Sequence, residues 1–600
     1  MSTTAILALV IVFSGSGSNR ELFSDPVPAQ PLLPHGDFCS SQVSIPHSSP
    51  DNRTAGPAQG LSANGVVELR SILDANKLAD LRWADFSNFK GCVAEVYADT
   101  GYGLVWLEHS RPTPEALRVV HALENAEEKG LVPSDYDGPR WAGRLEQLER
   151  SSPPPESTLV HFDVALTVST MRYLYDLRFG RLNPRTFHTA FDVKRNEYDL
   201  ARFLLNRIAH DGDIRPTLAE IEPPYPAYHR TLRALAVYRK LAREYKGKPL
   251  PVPKRSVKPG ESYVALPQLA ELLRLLGDLP SGARIPEGNI YEGAVVEAVK
   301  HFQTRHGLEP DGRIGRDTFQ ALNTPLSQRV VQLELTLERW RWLPHRFDQP
   351  PIIVNIPEFR LHAINSEHHQ VLAMKVVLGK AYGHKTPVFA TQMDSVIFRP
   401  YWNVPYSIQR KEIVPDLRKN MGYLLKHNYQ VVDDRQQVVS QGAVNASLLD
   451  EIRQGTVHVR QRPGPKNALG LIKFDMPNRY NVYMHDTPVT SLFAKSRRDF
   501  SHGCIRVEKP LALAVWVLRN NEGWTEERIR EAMNGDKTFR ERLVRPIPVL
   551  IVYGTALVNE NGETYFFADI YGLDADLEKA LAAGRPYPRP WGYAEKGEDR

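Results

Sequence analysis

The chain has 600 residues, 42% of them apolar and 24% charged, a composition that fits a soluble protein with several cores and excludes a fibrous or membrane-embedded chain. Lys and Arg outnumber Asp and Glu by only 75 to 70, and the basic residues are spread rather than gathered into a stripe, which argues against nucleic acid as a partner. Cysteines are sparse and odd in number: Cys39, Cys92 and Cys504. In an exported chain Cys39 and Cys92 could pair, leaving Cys504 as a lone thiol to be examined for reactivity.

In chain order, MSTTAILALVIVFSGSG (1–17) reads as a signal segment. Its nine-residue apolar run falls short of the roughly 20 residues of a spanning helix, although no Lys or Arg precedes it. Export to the periplasm is expected, with the N-terminus either cleaved or kept as an inner-membrane anchor. Residues 18–62, rich in Ser, Pro, Gly and Asn, read as a flexible tether. From 63 to 255 the apolar spacing turns helical, as in LVHFDVALTVSTMRYLYDLRFG and YHRTLRALAVYRKLAREY, and predicts a helical scaffold.

After the linker PVPKRSVKPGESY comes a compact unit, 264–325, in which Val295, Val299 and Phe302 share a helical face and Gly307, Pro310, Asp311 and Gly312 form a turn before a second helix with Phe319 and Leu322. The stretch AVVEAVKHFQTRHGLEPDGRIGRDTFQALN resembles the peptidoglycan-binding domain carried by many wall enzymes. A connecting helix is expected over 326–343. From 350 to 555 the pattern becomes short, β-branched and aromatic, as antiparallel sheets tend to be, with a less regular, basic stretch at 408–467 that reads as an inserted lid. Residues 556–600 read as a hairpin at NENGE and a tail. The fold class expected is α+β, with helices first and a mainly β region later.

The segment with the most chemistry is HDTPVTSLFAKSRRDFSHGCIRVEKP, 485–510. A cysteine nucleophile needs a base, cation or helix-end dipole beside it, because its thiol is mostly protonated at neutral pH. His485 and His502 are both within reach of Cys504, and spacing alone does not choose between them. Gly503 permits a sharp turn that could aim the amides of Gly503 and Cys504 at a developing oxyanion. No zinc-spaced His/Cys cluster and no phosphate loop occur, so neither metal nor cofactor is expected.

The run of His485, then fifteen residues, then Ser501, His502, Gly503, Cys504, Ile505 and Arg506 resembles the signature of the L,D-transpeptidases. Together with YLYDLRFGRLNP and the wall-binding unit, it resembles the large periplasmic branch of that family. The resemblance implies Cys504 as nucleophile and His485 as its base, the latter oriented by a main-chain carbonyl that would fall at Asp486. It further implies that Gly503 and Cys504 supply the oxyanion hole and that Ser501, His502 and Arg506 line or brace the site. A carboxylate at Asp486 departs from the pattern and could touch His485 directly. Trp402 and Tyr401, in FRPYWNVP, are candidate substrate contacts, with packing as their alternative.

The implied reaction is acyl transfer. Cys504 would take the acyl group of a peptidoglycan tetrapeptide stem as a thioester, and an amine of a neighbouring stem would resolve it to a 3–3 cross-link. Water in place of the amine would give an L,D-carboxypeptidase, and an inactive catalytic domain would leave a wall-binding scaffold protein. Expected partners are stem peptides and other wall synthases, with carbapenem-type β-lactams as covalent inhibitors.

Overall fold

The computed structural model describes residues 60–585 except 187–188, 192–197, 211, 254 and 286. The expected signal segment, Cys39 and nearly all of the expected tether lie outside the described residues. The architecture is α+β, helical first and mainly β later, as the sequence implies.

Helix α1 (Glu156–Phe179) is apolar on all sides and almost wholly buried, so it forms the axis of the scaffold, with shorter helices packed around it. Of its buried polar groups, Asp163 accepts from the Tyr97 hydroxyl at 2.7 Å and the Trp106 amide at 2.8 Å. Cys92, fully buried in this core, is disulfide-bonded. Helix α2 (Pro226–Glu244) leads out of the scaffold. The next unit holds α3 (Leu266–Leu275), α4 (Ala294–Arg305) and α5 (Arg316–Leu322) around Val295, Val299, Phe302 and Phe319. Buried Gln303 fastens its turn, donating to the Arg313 carbonyl at 2.9 Å and accepting from the Gly312 amide at 2.9 Å. Gly312 has φ +71, which an L side chain rarely adopts. Helix α6 (Leu326–Trp340) then packs along α2.

The β region contains β1 (Ile352–Asn355), β2 (Arg360–Ile364), β3 (Gln370–Gly379) and β4 (Val388–Phe398), then β5 (Trp402–Asn403), β6 (Tyr429–Val432), β7 (Val438–Ser440) and β8 (His458–Gln461). It continues with β9 (Ile472–Asp475), β10 (Met484–His485), β11 (Asp499–Ser501), β12 (Ile505–Val507), β13 (Phe539–Val552), β14 (Ala556–Val558) and β15 (Thr564–Phe566). The main sheet runs β9-β10-β12-β3-β2-β1-β13-β4, and β4 pairs back onto β9, so the sheet closes on itself. It is mixed rather than antiparallel: β10 runs parallel to β12, and β1 parallel to β13. A closed sheet has no free edge at this ring, and its interior is filled by apolar residues such as Met393, Met484, Ile505 and Val549.

After Phe398, the last residue of β4, Arg399 takes a left-handed conformation, φ +51, and turns the chain into a second sheet. One reading of the sequence is revised. The stretch expected to be irregular is a folded unit. Its sheet, in the order β7-β6-β8-β5, and short helices between Tyr406 and Gln454 enclose a core of Ile413, Leu417, Leu424, Val431, Ile452 and Val459.

The wall-binding-like unit is docked on the β14–β15 hairpin. Arg305 donates to the Asp278 carboxylate and, at 2.5 Å, to the Thr564 carbonyl, while His301 bridges Asp278 at 2.7 Å and Glu563 at 3.2 Å. Beyond the hairpin a further helix, α7 (Leu573–Ala582), covers α6 through Leu577 and Leu581.

Candidate active site

The closed sheet sets the site by parity. β10 lies between β9 and β12, with Lys473 opposite His485 on one side and Arg506 opposite it on the other. Met484 faces the core, so Tyr483 and His485 face the other way. The same alternation across β12 buries Ile505 and turns Cys504 and Arg506 to the face of Tyr483 and His485, and the Ile505 amide donates to the Tyr483 carbonyl at 3.0 Å. Sequence elements nineteen residues apart thus become neighbouring strands.

His485 is buried, and its Nδ1 lies 2.5 Å from the Asp486 carbonyl oxygen. A carbonyl can only accept, so Nδ1 carries the proton and Nε2 keeps its lone pair. The Asp486 carboxylate does not touch the imidazole; it accepts from the Leu471 amide at 2.9 Å and the Thr487 amide at 2.7 Å. Burial, then the Arg506 and Lys473 cations, pushes the His485 pKa down to about 3 against the pull of that carbonyl. The imidazole is therefore neutral at physiological pH.

Cys504 is the free cysteine among the described residues and is half-buried. Burial raises its thiol pKa, partly countered by hydrogen bonds from Tyr483 and by the Lys473 and Arg506 charges. Tyr483 lies beside both Cys504 and Trp402, close enough for each to shift its proton affinity, and the Cys504 thiol points at the Asn481 carbonyl at 3.9 Å. The turn before Cys504 is tightly held. Gly503 has φ +119, Ser501 Oγ donates to the Cys504 carbonyl at 2.6 Å and accepts from the Gly503 amide at 3.2 Å, and Thr386 Oγ1 donates to the Gly503 carbonyl at 2.8 Å. Among the described residues the Cys504 amide has no hydrogen-bond partner.

His502 points away from the thiol, with Nε2 at 2.6 Å from Glu412 of the inserted unit and its ring 4.7 Å from that of His384. Arg506 sits beside His485 with a buried Nε that has no hydrogen-bond partner among the described residues. Tyr401 is separated from this group; it is 41% exposed and its ring lies under the Arg460 guanidinium at 4.5 Å. The structure thus brings Cys504, His485, Gly503, Ser501, Asp486, Arg506 and Trp402 together and leaves Tyr401 apart. Sequence reasoning missed Tyr483, Lys473, Thr386 and Glu412. Of these only Tyr483 had a readable signal, lying two residues before His485 in a strand. A cavity of about 420 Å³ lies behind the sheet, lined by Tyr225, Trp340, His362 and Tyr553, and none of the candidate site residues borders it.

Residues 350–540 match the family model described as "L,D-transpeptidase catalytic domain". The chain carries an L,D-transpeptidase catalytic domain. Residues 265–322 match the model "Putative peptidoglycan binding domain", and 91–235 match "Scaffold domain". A curated protein of Haemophilus influenzae named "Putative L,D-transpeptidase" is 31% identical over 278 residues, 46% of this chain and 55% of that one, so the chain spans about half the length of this relative. A crystal structure of an L,D-transpeptidase (residues 123–326) from Xylanimonas cellulosilytica, 14% identical, covers 50% of this chain and 99% of that one at a TM-score of 0.15, too low to carry an argument. In the L,D-transpeptidase domain, the cysteine and both histidines of the signature fall inside the matched span.

Proposed function

We propose that the protein is a cysteine-dependent L,D-transpeptidase that joins tetrapeptide stems of peptidoglycan by 3–3 cross-links. The observation that carries the reading is the fixed tautomer of His485, whose Nδ1 proton is committed to the Asp486 carbonyl and whose Nε2 is left to take a proton from Cys504. Because the thiol is raised and the imidazole lowered, the resting site is a neutral pair. Proton transfer therefore accompanies attack.

Cys504 Sγ bonds to the carbonyl carbon between the diamino acid and the terminal D-residue as its proton passes to His485 Nε2. The Cys504 amide donates to the oxyanion, joined by the Gly503 amide, which Ser501 holds only at 3.2 Å. The C–N bond then breaks, and His485 returns the proton to the departing D-amino acid. In the second half an acceptor amine loses its proton to His485, attacks the thioester carbon and expels the thiolate, which recovers the proton. The inserted unit, tied to the turn through Glu412 and His502, acts as a lid, and the peptidoglycan-binding domain raises the local substrate concentration.

The protein acts on the far side of the inner membrane, in the periplasm, alongside other wall synthases and in support of cell shape. Among the described residues no helix is long and apolar enough to cross a membrane. Carbapenems are expected to acylate Cys504. Purified protein given disaccharide tetrapeptides should yield cross-linked dimer; monomeric tripeptide without dimer would leave an L,D-carboxypeptidase instead. Loss of the carbapenem mass adduct on Cys504→Ala checks the nucleophile.

A further inference from the structure

Tyr401, just before β5, and Trp402, its first residue, are chain neighbours that face opposite ways. Trp402 lies beside Tyr483, and Tyr483 beside the thiol. Tyr401 instead lines an open cleft of about 670 Å³ at the seam between the inserted unit and the main sheet, with Arg399, Asn428, Arg462, Lys537 and Thr538. The pairing of Trp402 with Gln461 on β8 extends by one step to set Tyr401 opposite Arg462, on the face away from Tyr483 and Cys504. The two aromatics therefore belong to two different surfaces.

The cleft is strongly cationic. Arg399, Arg462 and Lys537 face a single carboxylate, Asp536. The Nε atoms of both arginines are buried without a hydrogen-bond partner among the described residues, although buried donors are normally satisfied. Arg399 is also held in its left-handed conformation from both sides: its amide donates to the Leu471 carbonyl at 2.8 Å, and its carbonyl accepts from Thr538 Oγ1 at 2.6 Å. Arg399, fixed by its surroundings, thus lines the open cleft together with Lys537 and with Arg462, whose Nη1 donates to Gln441 Oε1 at 3.2 Å. Guanidinium forks match carboxylates, and the Tyr401 ring, backed by Arg460, offers a flat wall for a peptide.

We propose that this cleft is a second docking site, outside the catalytic centre, for a carboxylate-bearing peptide of the wall polymer. It holds a stem that is not being acylated while another occupies Cys504. The site rests on the proposed function for the identity of its ligand but not for its chemistry. Anchoring a second stem at the seam also couples polymer binding to the inserted unit, because Asn428 and Arg462 come from that unit while Arg399 and Lys537 come from the sheet side.

The test uses the full chain carrying Cys504→Ala, so that binding is read without reaction, and measures calorimetric affinity for a soluble stem tetrapeptide and for the same peptide with its carboxylates amidated. Arg462→Gln and Lys537→Gln are each expected to weaken the tetrapeptide about tenfold, amidation to do the same to the unmodified cleft, and the two losses not to add. Arg399→Gln should behave likewise; if it lowers the thermal midpoint, Arg462→Gln and the amidated ligand still decide. Unchanged affinity in Arg462→Gln and Lys537→Gln would overturn the proposal. So would sedimentation with phosphatidylglycerol vesicles that these variants abolish while tetrapeptide binding stays intact, since the cleft would then serve a membrane surface. If the wild-type protein makes no cross-linked dimer yet these charge-dependent affinities hold, the cross-linking reading fails and the docking site stands.

Discussion

The Cys504 thiol and the His485 imidazole are shifted in opposite directions, and the combination fixes how the rate should respond to pH. Burial, Arg506 and Lys473 hold His485 neutral down to about pH 3, while burial holds the thiol protonated above its ordinary 9.0. Between those limits the reactive form, neutral thiol beside neutral imidazole, does not change population. Acylation by a carbapenem should therefore be flat from about pH 5 to about pH 8, with no inflection near 6.5. A rate rising tenfold per pH unit across that range would mean that free thiolate attacks and that His485 is not the base. The Tyr483 hydroxyl belongs to the same balance. Tyr483 beside the sulfur opposes the rise in thiol pKa, so if its hydroxyl donates to the developing thiolate, Tyr483→Phe should slow acylation about tenfold without moving the thermal midpoint.

At the scale of elements, the two-residue strand β10 is accurate only because its neighbours hold it. Asp486 uses its carbonyl to orient His485 and its carboxylate to cap Leu471 at the start of β9. Gly470, at φ +64, leaves room for that carboxylate; a Cβ there would collide with Asp486. Gly470→Ala is accordingly expected to destabilise by about 2 kcal/mol and to lower kcat/KM along with the thermal midpoint. Stability loss with unchanged catalysis would show that His485 does not depend on Asp486. The same interlock explains what the sequence could reveal. Ser501 to Arg506 and His485 stood out in the sequence through their resemblance to a family signature, since spacing alone left His485 and His502 open, and the helices of the 264–325 unit because their apolar period is regular. The closure of β4 onto β9, the core of the inserted unit and the Glu412–His502 contact were not. They depend on pairings between segments up to 90 residues apart, on strands of two to four residues with no period to read, and on one left-handed arginine.

At the scale of the whole molecule, scaffold, peptidoglycan-binding domain and catalytic domain are joined by helices and by buried charge. Helix α6 lies against α2, the Tyr238 ring meets Phe566 at 5.0 Å, and Asp278, Arg305 and His301 pin the binding domain to the β14–β15 hairpin. A binding domain on a free linker would only concentrate substrate. One docked on the β14–β15 hairpin would, if it holds the wall strand as proposed, also fix the distance and direction from that strand to the thiol. Arg305 and Asp278 are almost fully buried, so removing the guanidinium leaves a carboxylate with His301 as its remaining side-chain partner. Arg305→Ala should destabilise the chain by about 3 kcal/mol and open the linker around residues 251–263 to limited proteolysis. Carbapenem acylation at Cys504, which needs no polymer, should survive below the new midpoint, while turnover of polymeric peptidoglycan should fall more steeply than turnover of soluble tetrapeptides. Equal losses on both substrates would show that the docking serves stability alone and does not position the wall strand.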